Sequence, residues 1–416
     1  MLVSNGWTGG QYSLFRAIFG TYLFVLFVRP LWGVGSFFCQ STVLQSTVLL
    51  APPDPLGFLL PNMWKLWNTP VFVISLLVIA AGLSVLLTIG LYDRIASVLL
   101  CPIWICFFAY VPHFDLLSVS GLLLAHVFVP PAPYGSWAGR GRPDPNGSWR
   151  MPQVIYLAAW ILLALGHAYT GFTKLVDPSW LDGAALARIL ENPLSRPSWL
   201  RKTLLTLPNG ILRLATWGAL GLELAFAPLA LSGRLRPWLW GLMLAIYLSF
   251  IIVSDFADLS LGMVMLHLFT FDPTWVRPRK ASGTEMLFYD GHCGLCHGAV
   301  RFILAEDRAG DSFHFAPLAS DSFRAAVREP DRAALPDSLI VLTTDGVLLT
   351  RSAAVLHILR RLGGVWRLLS SVVNAVPAPV RDRVYDGIAR VRYRLFRAPA
   401  ETCPFVPADL RRRFQS

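Results

Sequence analysis

The residues with the clearest chemical potential are two cysteines separated by two positions, Cys293 and Cys296. Thiols at this spacing lie about one helical turn apart, so they can alternate between a dithiol and a disulfide. The pair follows the apolar segment MLFYD at 286–290 and opens a segment with helical character. A thiolate at a helix N-terminus is stabilised by backbone N–H groups and the helix dipole, which makes it a nucleophile at neutral pH. The pattern therefore predicts that Cys293 attacks a disulfide and that Cys296 resolves the mixed disulfide.

Three residues beside the cysteines can influence the reactivity of the thiols. His292 and His297 flank the pair and favour a thiolate when protonated, while Asp290 ends the preceding apolar segment.

The cysteine motif permits two other interpretations, a haem site and a zinc site. The string Cys-x-x-Cys-His is also the attachment pattern of a c-type haem, which needs an extracytoplasmic domain and a second iron ligand. Zinc needs about two further nitrogen or sulfur ligands, and the two histidines are too close in sequence for the usual spacing. We expect redox exchange, because the pair lies between a predicted strand and a predicted helix.

Two ionisable residues in the apolar N-terminal part form a second candidate site. Lys174 lies just beyond one apolar stretch, and Glu223 lies near the middle of another, WGALGLELAFAPL. Charged groups at membrane depth are costly and often functional, although a hydrogen bond between helices explains Glu223 equally well. Trp180 and Asp182 follow Lys174 closely, and a lysine and a tryptophan are also common anchors at a membrane edge. The segment predicts either a polar site within the membrane domain or an interfacial anchor.

The chain divides near residue 280 into two parts of different composition. The chain has 55% hydrophobic and 15% charged residues and a mean hydropathy of +0.53, which excludes an ordinary soluble protein and a disordered one. Residues 276–416 hold 21 basic and 14 acidic residues, the density of a soluble domain, whereas 1–275 hold 15 and 11. The basic residues show no nucleic-acid-binding motif, so we expect the lipid bilayer as a partner and no nucleic acid. The predicted domains are 1–280 and 281–416.

The first domain is predicted to be a multi-pass α-helical membrane domain with about eight spans, since a helix needs about 20 apolar residues to cross a bilayer. Most basic residues in its short loops fall on one side, which predicts cytoplasmic termini and a cytoplasmic C-terminal domain. The predicted spans are Tyr12–Trp32, 70–91, 95–111, 115–130, 152–170, 209–231, 238–254 and 259–271.

The second domain alternates between strand-like and helix-like patterns in the order β-α-β-α-β-β-α, which is typical of a small α/β thioredoxin-like domain. Asp345-Gly346 is a strong hairpin signal between the last two strands. Ser352 is predicted to be the N-cap of the last helix. Thioredoxin-like folds often carry a cis-proline beside the disulfide, and Pro336, just before the third strand, has that place in the sequence. The predicted strands are 286–290, 312–318, 338–344 and 347–350, and the predicted helices follow the cysteines or lie at 321–329 and 353–362.

One motif in the first domain carries a family resemblance. The letters G-x-x-K-L at 171–175 and S-W-x-D-G-x-A-L at 179–186 resemble the HTTM family, relatives of the membrane part of vitamin K-dependent γ-glutamyl carboxylase. The resemblance covers roughly 10–275 and implies that Lys174 is a base that deprotonates a reduced quinone. It also implies a quinone-like ligand near Lys174 and Glu223. The large lumenal domain of the carboxylase has no counterpart here, so quinone or lipid chemistry is expected rather than glutamate carboxylation.

The C-terminal part carries a second family resemblance. The segments YDGHCGLCHGAVRFILAEDRAG, HFAPLAS, DSLIVLTTDGVLLTRSAAVLHILRRLGG and VYDGIARVRYRLF resemble, in order, the DCC family of predicted thiol–disulfide oxidoreductases. The family is named for Asp-x-x-Cys-x-x-Cys, which stands here at 290–296. Arg351 and Ser352 also match, and Cys403 matches a late family cysteine that is either a second redox partner or a structural thiol. The resemblance implies a protein-disulfide reductase that exchanges with a protein or small-thiol partner.

Together these features predict an integral multi-pass protein of a bacterial inner membrane that carries out thiol–disulfide exchange, coupled to quinone-like chemistry in its membrane domain. Two alternatives stay open. One is a membrane redox sensor or scaffold without turnover, and the other is a quinone- or lipid-modifying enzyme with a regulatory thiol domain. Basic residues near the C-terminus are predicted to lie on an amphipathic helix, either at the membrane surface or in solvent. These residues are Arg381, Arg390, Arg392, Arg394 and Arg397.

Overall fold

The chain forms two compact units in its structure, a computed structural model. The second unit combines three stretches of sequence, Ser4–Leu14, Pro130–Met151 and Asp272–Ser416, while Phe15–Val129 and Pro152–Phe271 belong to the first. A single boundary at 280 does not anticipate the first two of these stretches, and the predicted domain limits stay a prediction. The structure describes residues 5–33, 69–108, 114–140, 142, 144–145, 147–193, 195–254, 257–280, 283–336, 338–396 and 407–415.

The first unit is helical. Within the described residues, five helices are long and apolar enough to cross a membrane, which indicates an integral multi-pass membrane protein. Those five are Gly9–Leu31, Pro70–Ile89, Gln153–Lys174, Asn209–Ala230 and Arg236–Val253. The helices up to the end of this unit are α1 (Gly9–Val28), α2 (Pro70–Ile89), α3 (Asp93–Phe108), α4 (Phe114–Phe128), α5 (Gln153–Lys174), α6 (Pro178–Leu181), α7 (Ala185–Glu191), α8 (Trp199–Leu205), α9 (Asn209–Leu229), α10 (Arg236–Val253) and α11 (Ala257–Thr270).

Each of the eight predicted spans coincides with a helix, but three of these helices are shorter than a full span. The apolar parts of α4 and α11 are Leu116–Phe128 and Leu261–Thr270. Helix α3 has 16 residues and contains Pro102, which removes one helical hydrogen bond. The prediction of eight crossings is therefore supported by length and composition for five helices in the described part of the chain.

Local sequence signals set the ends of α2. The side chain of Thr69 caps the helix by accepting a hydrogen bond from the N–H of Phe72, and Pro70 occupies the first turn, where no N–H is needed. Gly90 ends the helix in the left-handed region at φ 72°. A Cβ atom at this position would lie 2.4 Å from a guanidinium nitrogen of Arg16, so both conformation and space require glycine.

The C-terminal part of the second unit is a small mixed α/β domain with a four-stranded sheet in the order β2-β1-β3-β4. Strands β1 and β2 are parallel, whereas β3 is antiparallel to both β1 and β4. Its elements are β1 (Glu285–Tyr289), α12 (Gly294–Glu306), β2 (Phe313–Pro317), α13 (Asp321–Ala326), α14 (Glu329–Ala334), β3 (Ile340–Leu342), β4 (Leu348–Thr350), α15 (Arg351–Leu362), α16 (Gly364–Asn374), α17 (Ala378–Leu395) and α18 (Ala408–Arg411).

Helices cover both faces of this sheet. Because side chains alternate along a strand, Leu287 and Tyr289 of β1 face a core that includes Val300 of α12, while Phe288 faces the opposite side. Phe288 packs edge-on against Phe323 of α13, with ring centroids 4.9 Å apart. Burial of one such aromatic side chain contributes about 1.5–3 kcal/mol. This packing fixes the carboxyl end of β1, from which the cysteine loop leaves.

The predicted strand and helix order is found, with two local corrections. The predicted helix at 321–329 is two helices, since the chain is extended at Val327 between α13 and α14. The prediction of Ser352 as an N-cap is wrong. Thr350 has the N-cap position of α15, and Ser352 lies in the first turn, where its hydroxyl donates to Asp382. The Ser352 hydroxyl therefore bonds to Asp382 on the distant helix α17 and does not cap α15.

Candidate active site

Cys293 is the N-cap of α12. Its backbone is extended (φ −103°, ψ 113°), and its Sγ accepts a hydrogen bond from the N–H of Cys296 at 3.3 Å. The N–H of Cys293 itself donates to the carbonyl of Asp290 at 3.3 Å, which closes the loop after β1. The sulfur therefore faces the free N–H groups of the first helical turn, where negative charge is stabilised.

Both sulfurs are protected from solvent. Cys293 is 1% exposed and Cys296 is 8% exposed, and both are free thiols that belong to the core between the sheet and α12. Burial raises the pKa of the Cys296 thiol, and the adjacent Cys293 sulfur raises it further, by more than the positive charge of Arg392 lowers it. Cys296 therefore keeps its proton at neutral pH, which suits a thiol that acts second.

Asp290 connects the cysteine loop to helix α17. One carboxylate oxygen accepts the N–H of His292 at 2.8 Å, and the other accepts hydrogen bonds from the Arg392 guanidinium, at 3.3 Å, and from the Tyr393 hydroxyl. Burial alone would raise the pKa of Asp290, but the hydrogen bonds from Tyr393 and His292 and the charge of Arg392 hold it below its ordinary value of 3.8. The Asp290 carboxylate therefore stays charged and holds α17 against the loop that contains the first cysteine.

The two flanking histidines differ in position. His292 is exposed, whereas His297 is 7% exposed, lies in α12 and contacts the carbonyl of Gly291 through Nε2 at 2.9 Å. The His297 ring also packs edge-on against Tyr289, with centroids 5.7 Å apart. His297 therefore shapes the loop that carries the first cysteine, and His292 faces solvent beside it.

The Arg351-Ser352 motif also binds α17. Ser352 donates its hydroxyl to Asp382, and the Arg351 guanidinium lies 3.1 Å from the carboxylate of Asp386. Tyr385 of the same helix accepts the N–H of Leu339 at 3.0 Å. The Arg351-Ser352 motif, which matches the family pattern, therefore holds α17 in place.

Pro336 is half-buried and precedes β3. No peptide bond in the described residues is cis, so the bond before this proline is trans. The remaining sequence-level candidate of this part, Cys403, lies outside the described residues.

Arg392 and Tyr393 were not singled out by sequence reasoning as site residues. The spacing of basic residues along α17 predicts an amphipathic helix facing lipid or water, yet Arg392 is 3% exposed and pairs with Asp290. That expectation is wrong for Arg392, because a buried arginine needs a carboxylate partner and Asp290 provides one. The signal available in sequence was the family motif VYDGIARVRYRLF, whose contacts with the cysteine loop only the fold reveals.

In the first unit, the structure brings three predicted residues together. The Lys174 ammonium at the end of α5 lies 2.6 and 2.7 Å from the two carboxylate oxygens of Glu223 on α9. The same nitrogen lies 4.2 Å from the ring centre of Trp180, within range of a cation–π contact. Gly171 permits this approach, since a Cβ there would lie 3.1 Å from the backbone nitrogen of Leu224.

Asp182, the fourth predicted residue of this segment, lies elsewhere. Its carboxylate accepts the N–H of Ala184 at 2.7 Å and approaches Arg188 at 3.8 Å. Asp182 therefore orders the turn into α7 and does not join the pair formed by Lys174 and Glu223. As for metals, the residues that the structure describes contain no group of three or more His, Cys, Asp or Glu side chains placed to hold an ion.

Comparison with known proteins identifies the C-terminal part. Residues 287–398 match the family model described as DCC1-like thiol-disulfide oxidoreductase, and the same comparison finds no HTTM domain. The chain is 36% identical over 130 residues to YuxK, an uncharacterised protein of Bacillus subtilis, covering 31% of this chain and 93% of that protein. It is 31% identical over 126 residues to a chloroplastic DCC family protein of Arabidopsis thaliana, covering 29% of this chain and 73% of that protein. No solved structure matches the chain significantly. Through a C-terminal domain that contains the Cys293–Cys296 pair, the chain belongs to the DCC family of thiol-disulfide oxidoreductases.

Proposed function

We propose that the protein is a membrane-bound protein-disulfide reductase whose C-terminal domain has a thioredoxin-like fold. The strand order β2-β1-β3-β4 supports this fold, with the first two strands parallel and the last two antiparallel. Cys293 is the N-cap of the helix that follows β1, and Cys296 lies in its first turn, which is where a redox pair gains most from the helix dipole.

One observation carries the catalytic proposal. The Cys293 sulfur accepts the N–H of Cys296 at the first turn of α12, so a negative charge on that sulfur is already solvated by the protein. Cys296, one turn later, has a raised pKa and stays a thiol until it is needed. The two cysteines are therefore unequal, as a nucleophile and a resolving thiol must be.

The reaction then proceeds in two displacements. The Cys293 thiolate attacks one sulfur of the substrate disulfide, forming a mixed disulfide and releasing the other substrate sulfur as a thiolate. Cys296 loses its proton to solvent and attacks the Cys293 sulfur, which breaks the mixed disulfide and releases the second substrate thiolate. The substrate gains two electrons and takes up two protons, and the cysteines become a disulfide. A dithiol reductant returns the pair to its starting state.

The test is insulin disulfide reduction, driven by dithiothreitol, with the full-length protein in detergent. The full chain is used because segments 4–14 and 130–151 belong to the same unit as the cysteines. Cys293→Ser should lower the enzyme-dependent rate at least about a hundredfold, since the nucleophile is lost. Cys101→Ser is the matched control, because Cys101 is a buried free thiol of the other unit. Absence of turnover in the wild type, with both thiols titratable, would favour a redox sensor or scaffold.

We further propose that the C-terminal domain faces the cytoplasm of a bacterial cell. Arg277, Arg279 and Lys280 follow the last apolar helix within ten residues, and basic residues next to a span favour the cytoplasmic side. A green fluorescent protein fused after Ser416 should fluoresce, and alkaline phosphatase at the same position should be inactive. The opposite pair of results would reverse the orientation.

A second candidate function, quinone chemistry in the membrane domain, is favoured by the cluster of Lys174, Glu223 and Trp180. The Lys174 ammonium and the Glu223 carboxylate are paired at 2.6 Å beside the Trp180 ring. An aromatic ring next to a few polar groups suits a ligand that is itself a ring with polar substituents. The HTTM-like motif is the further support for a quinone-like ligand there, linked to the thiols by its redox chemistry. Extraction of the purified protein should yield quinone, and Lys174→Ala should lower the amount recovered. Lys202→Ala is the control, and equal quinone in all three proteins would exclude the site.

A further inference from the structure

A cavity of about 700 Å³ lies within the second unit, apart from the cysteines. The segment 273–280, which follows α11, forms one wall, and the segment 307–312, which follows α12, forms another. The end of α15 also lines the cavity, together with Gly6, Gln11, Gly283, Thr284 and Gly364. The volume is within the range of ligand-binding cavities, about 300–1,000 Å³.

The backbone of one wall is firmly held. The N–H of Arg279 donates to the carbonyl of Arg360 at 2.8 Å, and the carbonyl of Arg279 accepts the Arg361 guanidinium at 2.8 Å. The carbonyl of Val276 accepts the N–H of Gly364, also at 2.8 Å. A Cβ at Gly363 would lie 2.8 Å from the backbone nitrogen of Pro278, so this segment packs against the turn between α15 and α16 without intervening space. The basic side chains of the segment therefore extend from an ordered backbone.

The charges that line the cavity do not cancel. Asp307 is paired with Arg413 at 2.7 Å, and Arg361 is paired with Glu285 at 3.3 Å, so these two lining residues are satisfied within the domain. Of the charged residues left in the lining, four are basic and one, Asp311, is acidic. The four basic residues are Arg277, Arg279, Lys280 and Arg308, and all four are exposed.

We propose that this cavity binds the phosphate of an anionic phospholipid headgroup. Three basic side chains within four residues attract a phosphodiester, and arginine donates two parallel hydrogen bonds to phosphate. The lining is also close, along the chain, to two apolar helices. Pro273 is three residues beyond the end of α11, and Gln11 lies in the first turn of the candidate span Gly9–Leu31.

This placement favours a lipid over a soluble phosphate as the source of the anion. Three extended residues span at most about 11 Å, so the wall that contains Pro273 lies within that distance of the apolar helix end. Basic sites next to the ends of membrane helices are where anionic headgroups bind. The bound lipid would hold the segment 273–280, and with it the end of α15, at the membrane surface.

The experiment titrates dioleoyl-phosphatidylglycerol or dioleoyl-phosphatidylcholine into the full-length protein in neutral detergent and counts bound lipid by native mass spectrometry. Wild type should bind phosphatidylglycerol at least about tenfold more tightly than phosphatidylcholine. R279Q/K280Q should reduce that affinity at least about tenfold, and R279K/K280R should restore it, because the charge is conserved. R324Q/R328Q, which removes two exposed arginines outside the cavity, should retain the wild-type affinity within about twofold.

Three results would overturn the proposal. Equal affinity for the two lipids would exclude headgroup recognition, and equal losses in R279Q/K280Q and R324Q/R328Q would show general electrostatic attraction. Inorganic phosphate that binds to the same residues while phosphatidylglycerol shows no preference would assign the cavity to a soluble anion. Thermal unfolding of each variant verifies folding, and R279K/K280R keeps the test decisive even if R279Q/K280Q is destabilised.

Discussion

The side chain of Arg392 links the two chemical groups of the candidate active site. Its guanidinium contacts Asp290 at 3.3 Å and lowers the pKa of Cys296 against the larger effect of burial. Buried charges are stable when paired, and Asp290 provides the pair. In the proposed mechanism, the same positive charge favours the Cys296 thiolate during the second displacement. Arg392 is a positioning residue, since it acts through Asp290 and through the electrostatic environment of the thiol.

We predict that Arg392→Gln slows the resolving step. In the mixed disulfide the Cys293 sulfur is uncharged, so loss of the Arg392 charge leaves burial less opposed in raising the pKa of Cys296, and fewer molecules carry the attacking thiolate at pH 7. The mixed disulfide should persist about two- to tenfold longer, as measured by acid quenching and non-reducing electrophoresis, and raising the pH should shorten its lifetime. Arg390→Gln is the matched control, since Arg390 lies on the same helix and is exposed. An unchanged lifetime, or one that does not respond to pH, would contradict this role.

Sequence reasoning located the cysteine pair because its chemistry depends on local spacing. It did not find Arg392, because the contact with Asp290 joins residues 102 positions apart. A run of arginines on a predicted helix gives no indication of which one is buried. Pairing of this kind is a property of the packed fold, and only the tertiary structure shows it.

At the scale of elements, α17 is attached to the rest of its domain by polar contacts on successive turns. Asp382 accepts the Ser352 hydroxyl, Asp386 pairs with Arg351, and Arg392 reaches Asp290. The order of strands and helices along the chain as far as α15 could be predicted from alternation and turn residues. The attachment of α17 could not, since amphipathic periodicity shows that a helix has a partner without identifying the partner.

We predict that Asp382→Ala makes the active site more accessible. The substitution removes the acceptor of the Ser352 hydroxyl and N–H, which weakens the contact between α17 and α15. Because Cys293 is 1% exposed, alkylation requires local opening, and looser attachment of α17 should raise the rate of iodoacetamide modification about three- to tenfold. Arg383→Ala is the control, because that neighbouring side chain is exposed. If both variants react at the wild-type rate, α17 does not restrict access.

At the scale of the whole molecule, the second unit unites residues from the beginning, the middle and the end of the chain. Glu306, at the end of α12, is 1% exposed and accepts hydrogen bonds from the Thr8 hydroxyl, from the N–H of Gly10 at 2.7 Å and from the Trp366 indole at 2.6 Å. Composition predicted two domains because charge density changes near residue 276. Composition could not predict that residues 5–14 join the second unit. That arrangement depends on hydrogen bonds between the Glu306 carboxylate and donors almost 300 positions away in the sequence.

The same carboxylate gives the molecule a pH dependence whose sign can be stated. Burial raises the pKa of Glu306 above its ordinary value of 4.5, although the hydrogen bonds from Thr8, Trp366 and Gly10 act in the opposite direction. A group that binds its proton more tightly when folded contributes stability at low pH, and that contribution is lost as pH rises from about 4.5 through the raised pKa. Glu306→Gln removes this titration. The melting temperature of wild type minus that of Glu306→Gln should therefore fall as pH rises from 4 to 8.

Thermal unfolding of the full-length protein in detergent measures this difference. Glu329→Gln is the control for the loss of a carboxylate from the surface, since the Glu329 side chain is 81% exposed. In Glu306→Gln the new amide nitrogen faces hydrogen-bond donors, which can shift the melting temperature by the same amount at every pH. The decisive quantity is therefore the slope of the melting-temperature difference against pH. A difference that rises with pH would mean that the hydrogen bonds outweigh burial and that the folded protein holds Glu306 as a carboxylate even in mild acid.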